Sequence, residues 1–392
     1  MLLVVLRNEL LKIKTYCINF FILLFWGLTQ AFGQTFSLSG QASGWITVTP
    51  DNDQVSQTGF RYIPELTIKQ KLDSDLAVDL DLSLNTYDTQ GFLKDQHPEY
   101  DGKIKPYRAS FRLASDELEL RIGLQKISFG SATLFRPLMW FDKVDPRDPL
   151  QLTDGVYGLL VRYYFLTNAN IWLWGLYGND ETKGWETAPT QKNNIEYGGR
   201  VQMPLWSGET GFSYHHREAD FSTLPRLPIA TGISSIPENR FALDGKWNLG
   251  IGAWFEAVLI HDQTDIPEMI YQRQWTLGAD YTFDIGNGLT ILTEYFRFEH
   301  PSDVFGSADG LGFSGCSLNY PIGAVDRISA IVYRDWTNHD WYRLLSWQMT
   351  YDNWIIYLLG FGNPDTMQLS RIQGGTSSFA GTGLQVMLVF NH

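Results

Sequence analysis

Residues 76–85 read LAVDLDLSLN, a stretch in which apolar and polar side chains alternate almost without interruption. Successive side chains of a β-strand point to opposite faces, so this pattern predicts a strand with one apolar and one polar face. The apolar face carries Leu76, Val78, Leu80, Leu82 and Leu84, and the polar face carries Asp79, Asp81, Ser83 and Asn85. Such a strand suits a sheet that separates an apolar medium from water.

The same period of two recurs along most of the chain. Clear examples are ELELRIGLQ at 117–125, NIEYGGRVQM at 194–203 and QWTLGADYTF at 274–283. We count eighteen such segments, from Phe36 to a last strand that ends near Phe390. Some segments are weaker than those quoted, but the pattern predicts an all-β chain.

The connections between these segments alternate between short and long. Eight short turns each contain Gly, Asn, Asp or Ser, residues typical of tight turns. Nine longer connections separate them, predicted near 49–57, 88–105, 129–154, 178–193, 216–238, 262–271, 299–309, 334–340 and 362–381. Strict alternation of this kind is typical of bacterial outer-membrane barrels, which have short periplasmic turns and long extracellular loops.

A closed barrel also satisfies every backbone hydrogen bond in a hydrocarbon layer, which an open sheet cannot do. The sequence therefore predicts a transmembrane antiparallel up-and-down β-barrel of about 18 strands. Barrels carry aromatic girdles at the two membrane interfaces. Candidates for outward-facing girdle residues are Tyr107, Tyr163, Phe165, Tyr177, Trp247, Trp275, Phe283 and Trp354. The alternatives are a secreted β-sandwich or a propeller, but neither predicts this alternation of connections, and a propeller would show an internal repeat.

The N-terminus and the composition agree with this location. Basic residues precede the short apolar run FFILLFWGL at 20–28, and Ala31 and Gly33 occupy the small-residue positions of a cleavage site. We expect residues 1–33 to be a signal peptide, since the run is short for a membrane span of about 20 residues. Residues 34–392 then form one barrel domain. The formal net charge of −13 makes nucleic acid an unsuitable partner.

Eighteen strands enclose an open lumen, so inward-facing charges can be read from the alternation. One side of the lumen is predicted to carry a basic wall, comprising Arg108, Arg112, Arg121, Arg162 and Arg200. The other side is predicted to carry an acidic wall, comprising Glu256, Asp280 and Glu294. Opposite walls of opposite sign would orient dipolar solutes and favour charged or zwitterionic ones. The alternative is the mixture of solvated charges found in any aqueous lumen, and inward acids such as Asp79 and Glu119 blur the pattern.

The longest connection, residues 129–154, is apolar from Leu134 to Phe141 and charged from Asp142 to Asp148. A loop that folds into a lumen needs apolar residues to pack on the wall and charged residues to face the aperture. We therefore expect this loop to form the pore constriction. Its candidate residues are Arg136, Asp142, Lys143, Asp145, Arg147 and Asp148. The alternative is an extracellular lid packed on neighbouring loops.

Residues 119–165 contain RIGLQKISFGSA followed by DPRDPLQLTDGV. This arrangement, a strand reading R-x-G-x-Q that runs into Gly and an Asp-Pro-rich loop, resembles the pattern in alginate-export-like and related substrate-selective porin families. The resemblance implies a passive, substrate-selective channel. The final strand also resembles the C-terminal strand by which outer-membrane proteins are recognised for assembly, although Asn391 and His392 follow its terminal aromatic residue.

These observations together predict a Gram-negative outer-membrane porin for passive diffusion of small hydrophilic or charged solutes. Its partners would be outer-membrane lipid and lipopolysaccharide, the solutes and the barrel-assembly machinery, with oligomers compatible with the sequence. No cofactor or metal is called for. The alternatives are a barrel subunit of a surface export or assembly complex, and an outer-membrane enzyme.

The enzyme alternative depends on His215 and His216 at the end of one strand, beside Arg217, Glu218 and Asp220. Adjacent strand residues point to opposite faces, so the two imidazoles are not expected to share one ion. We therefore predict that the protein is not an enzyme.

Overall fold

The computed structural model describes residues 34–50, 54–73, 75–93, 98–222, 235–264, 266, 269–364 and 379–392. The predicted signal peptide, residues 1–33, lies outside these described residues. The described chain forms eighteen strands: β1 Gln34–Val48, β2 Gln54–Lys71, β3 Ala77–Leu93, β4 Glu99–Ala114, β5 Leu118–Gln125, β6 Val156–Tyr164, β7 Asn170–Tyr177, β8 Ile195–Leu205, β9 Gly208–Asp220, β10 Ser235–Asn248, β11 Gly252–Asp262, β12 Tyr271–Phe283, β13 Leu289–Glu299, β14 Gly310–Pro321, β15 Arg327–Asp335, β16 Trp341–Tyr351, β17 Trp354–Gly362 and β18 Thr382–Asn391.

Each strand pairs antiparallel with the next, and β1 also pairs with β18. The closing ladder runs from Gln41 opposite Asn391 to Val48 opposite Leu384. The predicted antiparallel barrel of eighteen strands is therefore confirmed. Within the described ranges, no helix is long and apolar enough to cross a membrane.

The two faces of the sheet differ as the period-two pattern predicts. On β3, Leu82 and Leu84 are exposed on the outer surface, whereas the alternating Ser83 and Asn85 are buried on the inner one. On β18, Leu384, Val386 and Leu388 are exposed and the residues between them are buried. A surface that presents leucine and valine to its surroundings while it turns polar groups inward fits hydrocarbon outside and water inside.

The predicted loops over 88–105 and 216–238 are wrong in extent. Strand β3 extends to Leu93 and β4 begins at Glu99, with Asp88 opposite Gly102 and Thr89 opposite Asp101. In the second loop, β9 extends to Asp220 and β10 begins at Ser235. Strands longer than the hydrocarbon is thick are expected to extend into water, where both faces are solvated. The period-two signal therefore disappears there although the backbone pairing continues.

The predicted aromatic girdle is found for most of its members. Tyr163, Phe165, Tyr177, Phe283 and Trp354 are exposed on the outer surface, and Trp247 and Trp275 are half-buried.

Tyr107 is the member that the prediction placed wrongly. The ladder between β3 and β4 pairs Ser83 with Arg108 but Leu84 with Pro106, so Tyr107 is an extra residue at a β-bulge. A one-residue shift reverses the face that a side chain points to. Tyr107 therefore lines the interior.

Candidate functional site

The connection between β5 and β6, residues 126–155, is here called L3. Its apolar half is buried among inward-facing side chains of both the neighbouring wall and the opposite wall of the barrel. Phe135 is fully buried and stacks on Phe296 of β13 with 5.6 Å between ring centroids. Phe141 makes an edge contact with Trp174 of β7 at 5.3 Å. L3 therefore occupies the lumen beside strands β6 to β18.

Two wall carboxylates hold the backbone of L3. Glu294 accepts hydrogen bonds from the backbone N–H groups of Thr133, Leu134 and Phe135, at 2.6, 2.9 and 2.7 Å. It also accepts one from Trp254 Nε1 at 3.0 Å. A carboxylate with four donors is fully satisfied without a counter-cation, and it fixes three successive residues of the loop.

Glu256 makes the second anchor, two strands away. It accepts hydrogen bonds from Ala132 N at 2.7 Å and from Leu138 N at 3.1 Å. Glu256 and Glu294 point inward, as the alternation predicts, but L3 covers them and both are buried. Together with half-buried Asp280, the predicted acidic wall lines no part of the large open cavity described below.

The connection between β7 and β8, residues 178–194, is here called L4, and it packs against L3. Trp185 donates from Nε1 to the carbonyl oxygen of Arg136 at 2.7 Å and stacks on Phe296 at 4.7 Å. Gly184 N donates to the carbonyl oxygen of Asp142 at 3.0 Å. L3 is thus fixed on two sides.

The six charged loop residues predicted for the constriction divide into two groups. Arg136 pairs with buried Asp142 at 3.1 Å, and buried Arg147 pairs with Asp145 at 2.7 Å. Asp145 also lines the open cavity, as do Lys143 and Asp148. The charges that face the cavity are therefore Lys143, Asp145 and Asp148.

The open cavity has a volume of about 770 Å³ and lies between L3 and the wall made by β1 to β4 and β18. It is off-centre, because L3 and L4 fill the opposite side of the lumen. Its charged lining consists of five carboxylates, Glu99, Asp101, Asp145, Asp148 and Asp154, and three cations, Arg61, Lys105 and Lys143. Aromatic residues that line it include Trp45, Tyr87, Tyr100 and Tyr107.

Arg61 is the cavity residue that the sequence did not single out. Its guanidinium lies 5.6 Å from the ring centroids of both Trp45 and Tyr87. No ion pair to Arg61 occurs among the residues that the structure describes, whereas Lys105 pairs with Asp154 at 2.5 Å. The sequence does contain a signal for Arg61: it lies between Phe60 and Tyr62 in a strand of period two, so its side chain should point to the face opposite theirs.

The predicted basic wall projects inward but is largely neutralised. Glu119 lies 2.7 Å from Arg121, 3.3 Å from Arg112 and 3.6 Å from Arg162. Arg112 also pairs with Asp79 at 2.7 Å, and Arg200 pairs with Asp244 at 2.6 Å. Arg108 donates to the carbonyl oxygen of Thr153 at 3.0 Å.

The two histidines point to opposite faces of β9. His215 is buried in the interior, where its Nδ1 accepts a hydrogen bond from Trp174 Nε1 at 3.1 Å and its Nε2 lies 3.3 Å from Glu196. His216 contacts Asn239 instead, with 3.0 Å between Nδ1 and Oδ1. Across the described ranges, no group of three or more His, Cys, Asp or Glu residues could hold a metal ion.

Comparisons with solved structures agree with the fold. The in-vitro folded OmpT of Vibrio cholerae, an outer-membrane protein in its trimer form, has a TM-score of 0.50 at 12% identity, covering 92% of this chain and 99% of that one. OmpF of Salmonella typhi, in complex with daunomycin, has a TM-score of 0.49 at 12% identity, covering 92% and 98%. An anion-selective porin from Comamonas acidovorans has 0.49 at 13% identity, covering 92% and 100%. No family model and no curated protein matches the chain.

At these identities the likeness concerns the fold alone. The closed antiparallel barrel, its apolar outer surface and its charged interior place the protein among the porin-like β-barrels of the Gram-negative outer membrane. The comparisons do not support assignment to the alginate-export-like family.

Proposed function

We propose that the protein is a diffusion channel whose aqueous path runs through the cavity between L3 and the wall of β1 to β4 and β18. The observation that supports this path is the distribution of filled and open space. L3 and L4 fill one side of the lumen with apolar packing, while the other side holds about 770 Å³ lined by charges of both signs. Water and small hydrophilic solutes would pass on that side.

The charges that face the path suggest a weak preference for cations. Five carboxylates outnumber three cations in its lining, and a ring of excess negative charge favours cations in a pore. Arg61, flanked by two aromatic rings, would contact the carboxylate or other anionic group of a solute that enters. Acids of L3 on the opposite side would contact an ammonium group. The path therefore suits small charged or zwitterionic solutes, as expected for a substrate-selective porin.

The test is conductance of the purified protein in planar lipid bilayers. We expect discrete ohmic openings, with a reversal potential in a salt gradient that favours cations. Candidate carboxylates and zwitterions added to one side should block the current. A folded, inserted protein without conductance would contradict the channel and favour the export-subunit or enzyme alternative.

The constriction role of L3 has a separate test. Deletion of residues 134–150 removes the part of L3 that fills the lumen, so we expect higher conductance. A matched control deletes residues 301–308, which belong to another long connection. Unchanged conductance after the first deletion would favour a lid over a constriction.

A further inference from the structure

Five consecutive short turns, from the β6–β7 turn to the β14–β15 turn, each expose a large apolar side chain at their tip. The exposed fractions are 96% for Leu166, 88% for Trp206, 69% for Leu249, 56% for Ile285 and 57% for Val325. We call this set of tips the apolar arc. Single exposed apolar residues are ordinary on a protein surface, but one on each of five neighbouring turns is a pattern.

Two of the other three short turns are polar. Residues 115–117 are Ser, Asp and Glu, and residues 352–353 are Asp and Asn. The 72–76 turn also exposes an apolar side chain, Leu72 at 50%, but the polar turn at 115–117 separates it from the arc. The arc therefore covers one sector of the rim and ends at polar turns on both sides.

The backbone at Trp206 indicates that its position is not explained by turn geometry. Trp206 has φ of +54° at the tip of the two-residue connection between β8 and β9. This left-handed conformation is ordinarily taken by Gly, Asn or Asp, and it is unfavourable for a bulky residue. A side chain that is 88% exposed gains little from protein contacts to offset that cost. A function outside the protein accounts for a tryptophan here, as strained positions often serve binding.

The arc continues the surface that faces lipid. Tyr163 and Phe165 are exposed just before Leu166, and Tyr281 and Phe283 are exposed just before Ile285. Phe165 is followed directly by Leu166, and a single exposed residue, Asp284, separates Phe283 from Ile285. Tryptophan and aliphatic residues beside polar turn backbone are also the composition that suits the headgroup boundary of a bilayer.

We propose that the apolar arc is immersed in the interfacial layer of the inner leaflet, so that phospholipid covers these turns. The lipid-facing surface then extends beyond the strand ends under β6 to β15. It stops at the strand ends at the two polar turns that flank the arc, residues 115–117 and 352–353. This placement is independent of whether the barrel conducts.

The test uses single-cysteine variants of the full chain in a Cys17→Ser, Cys316→Ser background. An environment-sensitive fluorophore is attached at Leu166→Cys, Ile285→Cys or Val325→Cys, with Asp116→Cys and Asn353→Cys as matched polar turns. The purified protein is placed in phosphatidylcholine vesicles, some of which carry nitroxide-labelled lipid. Iodide is supplied on both sides of the membrane as the aqueous quencher.

We expect blue-shifted emission and loss of intensity to the nitroxide lipid at the three arc positions, and loss of intensity to iodide at the two controls. Equal iodide quenching at all five positions would overturn the proposal. An arc that is open to iodide in vesicles, yet shielded in native outer-membrane fragments, would also overturn it and would assign the arc to a protein partner. Normal mobility shifts on heating confirm that each variant is folded.

Discussion

At the scale of single residues, the net charge that faces the lumen depends on which partner each charged side chain has. Arg121 lies 2.7 Å from Glu119, whereas Arg61 faces the cavity between two aromatic rings. The alternation of the sequence correctly indicates that arginines project inward, but it carries no information on which of them are neutralised. That information arises from pairing across strands, which depends on register.

Substitution of Arg61 tests this difference. Arg61→Gln should shift the reversal potential toward cations, because it removes a cavity charge that has no ion-pair partner within the described structure. Arg121→Ala combined with Arg162→Ala should shift it in the same direction but less, since Glu119 already offsets both. The measurement needs low salt, because charges are screened over about 10 Å at 0.1 M. An equal or larger shift for the paired arginines would contradict the assignment.

Asp148 predicts a pH dependence for the proposed channel. Burial in L3 raises the pKa of this carboxyl above its ordinary value, which is about 3.9. Its negative charge is therefore lost at a higher pH than that of an exposed aspartate. As the pH falls toward this raised pKa, cation preference should weaken.

The matching variant is Asp148→Asn, in which that part of the pH dependence should disappear and cation preference at pH 7 should already be weaker. Reversal potentials recorded from pH 7 to pH 4 give the comparison. Identical profiles for both proteins would show that another group titrates.

At the scale of elements, L3 is held by the wall through its backbone. Composition alone indicates a segment that is apolar in one half and charged in the other. It does not indicate that Glu256 and Glu294 receive five backbone N–H groups from the loop. These contacts join residues that are far apart in sequence, so no local pattern predicts them. Strict alternation also fails to predict the β-bulge at Tyr107, because the bulge is defined by the pairing of β4 with β3.

Removal of one anchor should loosen L3. Glu294→Ala leaves three loop N–H groups and Trp254 Nε1 without their acceptor, and each buried unsatisfied donor costs about 1–3 kcal/mol. We expect larger current fluctuations in the open channel and faster proteolysis within L3. The control Glu209→Ala changes an exposed carboxylate at the start of β9 and should leave both unchanged. Quiet, wild-type-like openings of Glu294→Ala would contradict an anchoring role.

At the scale of the whole molecule, the barrel was predictable because two signals reinforce each other. The period of two defines the strands, and the short and long connections define an even, up-and-down order. Both signals are clear in the membrane-spanning part of each strand, because there one face contacts hydrocarbon and must be apolar. Where the strand ends rise into water, as at Asp88 and Asp101, the first signal fades and the predicted boundaries are wrong.

Charge on the two faces of one strand should therefore have unequal effects. Leu84 of β3 is 48% exposed on the outer face, and Thr89 of the same strand lines the cavity. Leu84→Arg should lower the free energy of unfolding by about 2–4 kcal/mol if it lies near the bilayer midplane. Thr89→Arg should have a much smaller effect. Urea unfolding in lipid vesicles, followed by gel mobility, measures both, and equal losses would contradict the assigned faces.

The ladder between β1 and β18 also has a consequence for how the molecule is made. Gln41 and Asn391 are paired neighbours although they are 350 positions apart in the chain. Among the ladders of the described ranges, this one therefore has the largest entropic cost of loop closure. Every other described ladder joins consecutive strands and can form as soon as both are available. The β1–β18 ladder can form only when β18 is available. Until then two strand edges stay open and would invite pairing with other chains. The risk of aggregation is therefore greatest just before the barrel closes. A chaperone that covers the open edge of β1 would be most effective at that stage.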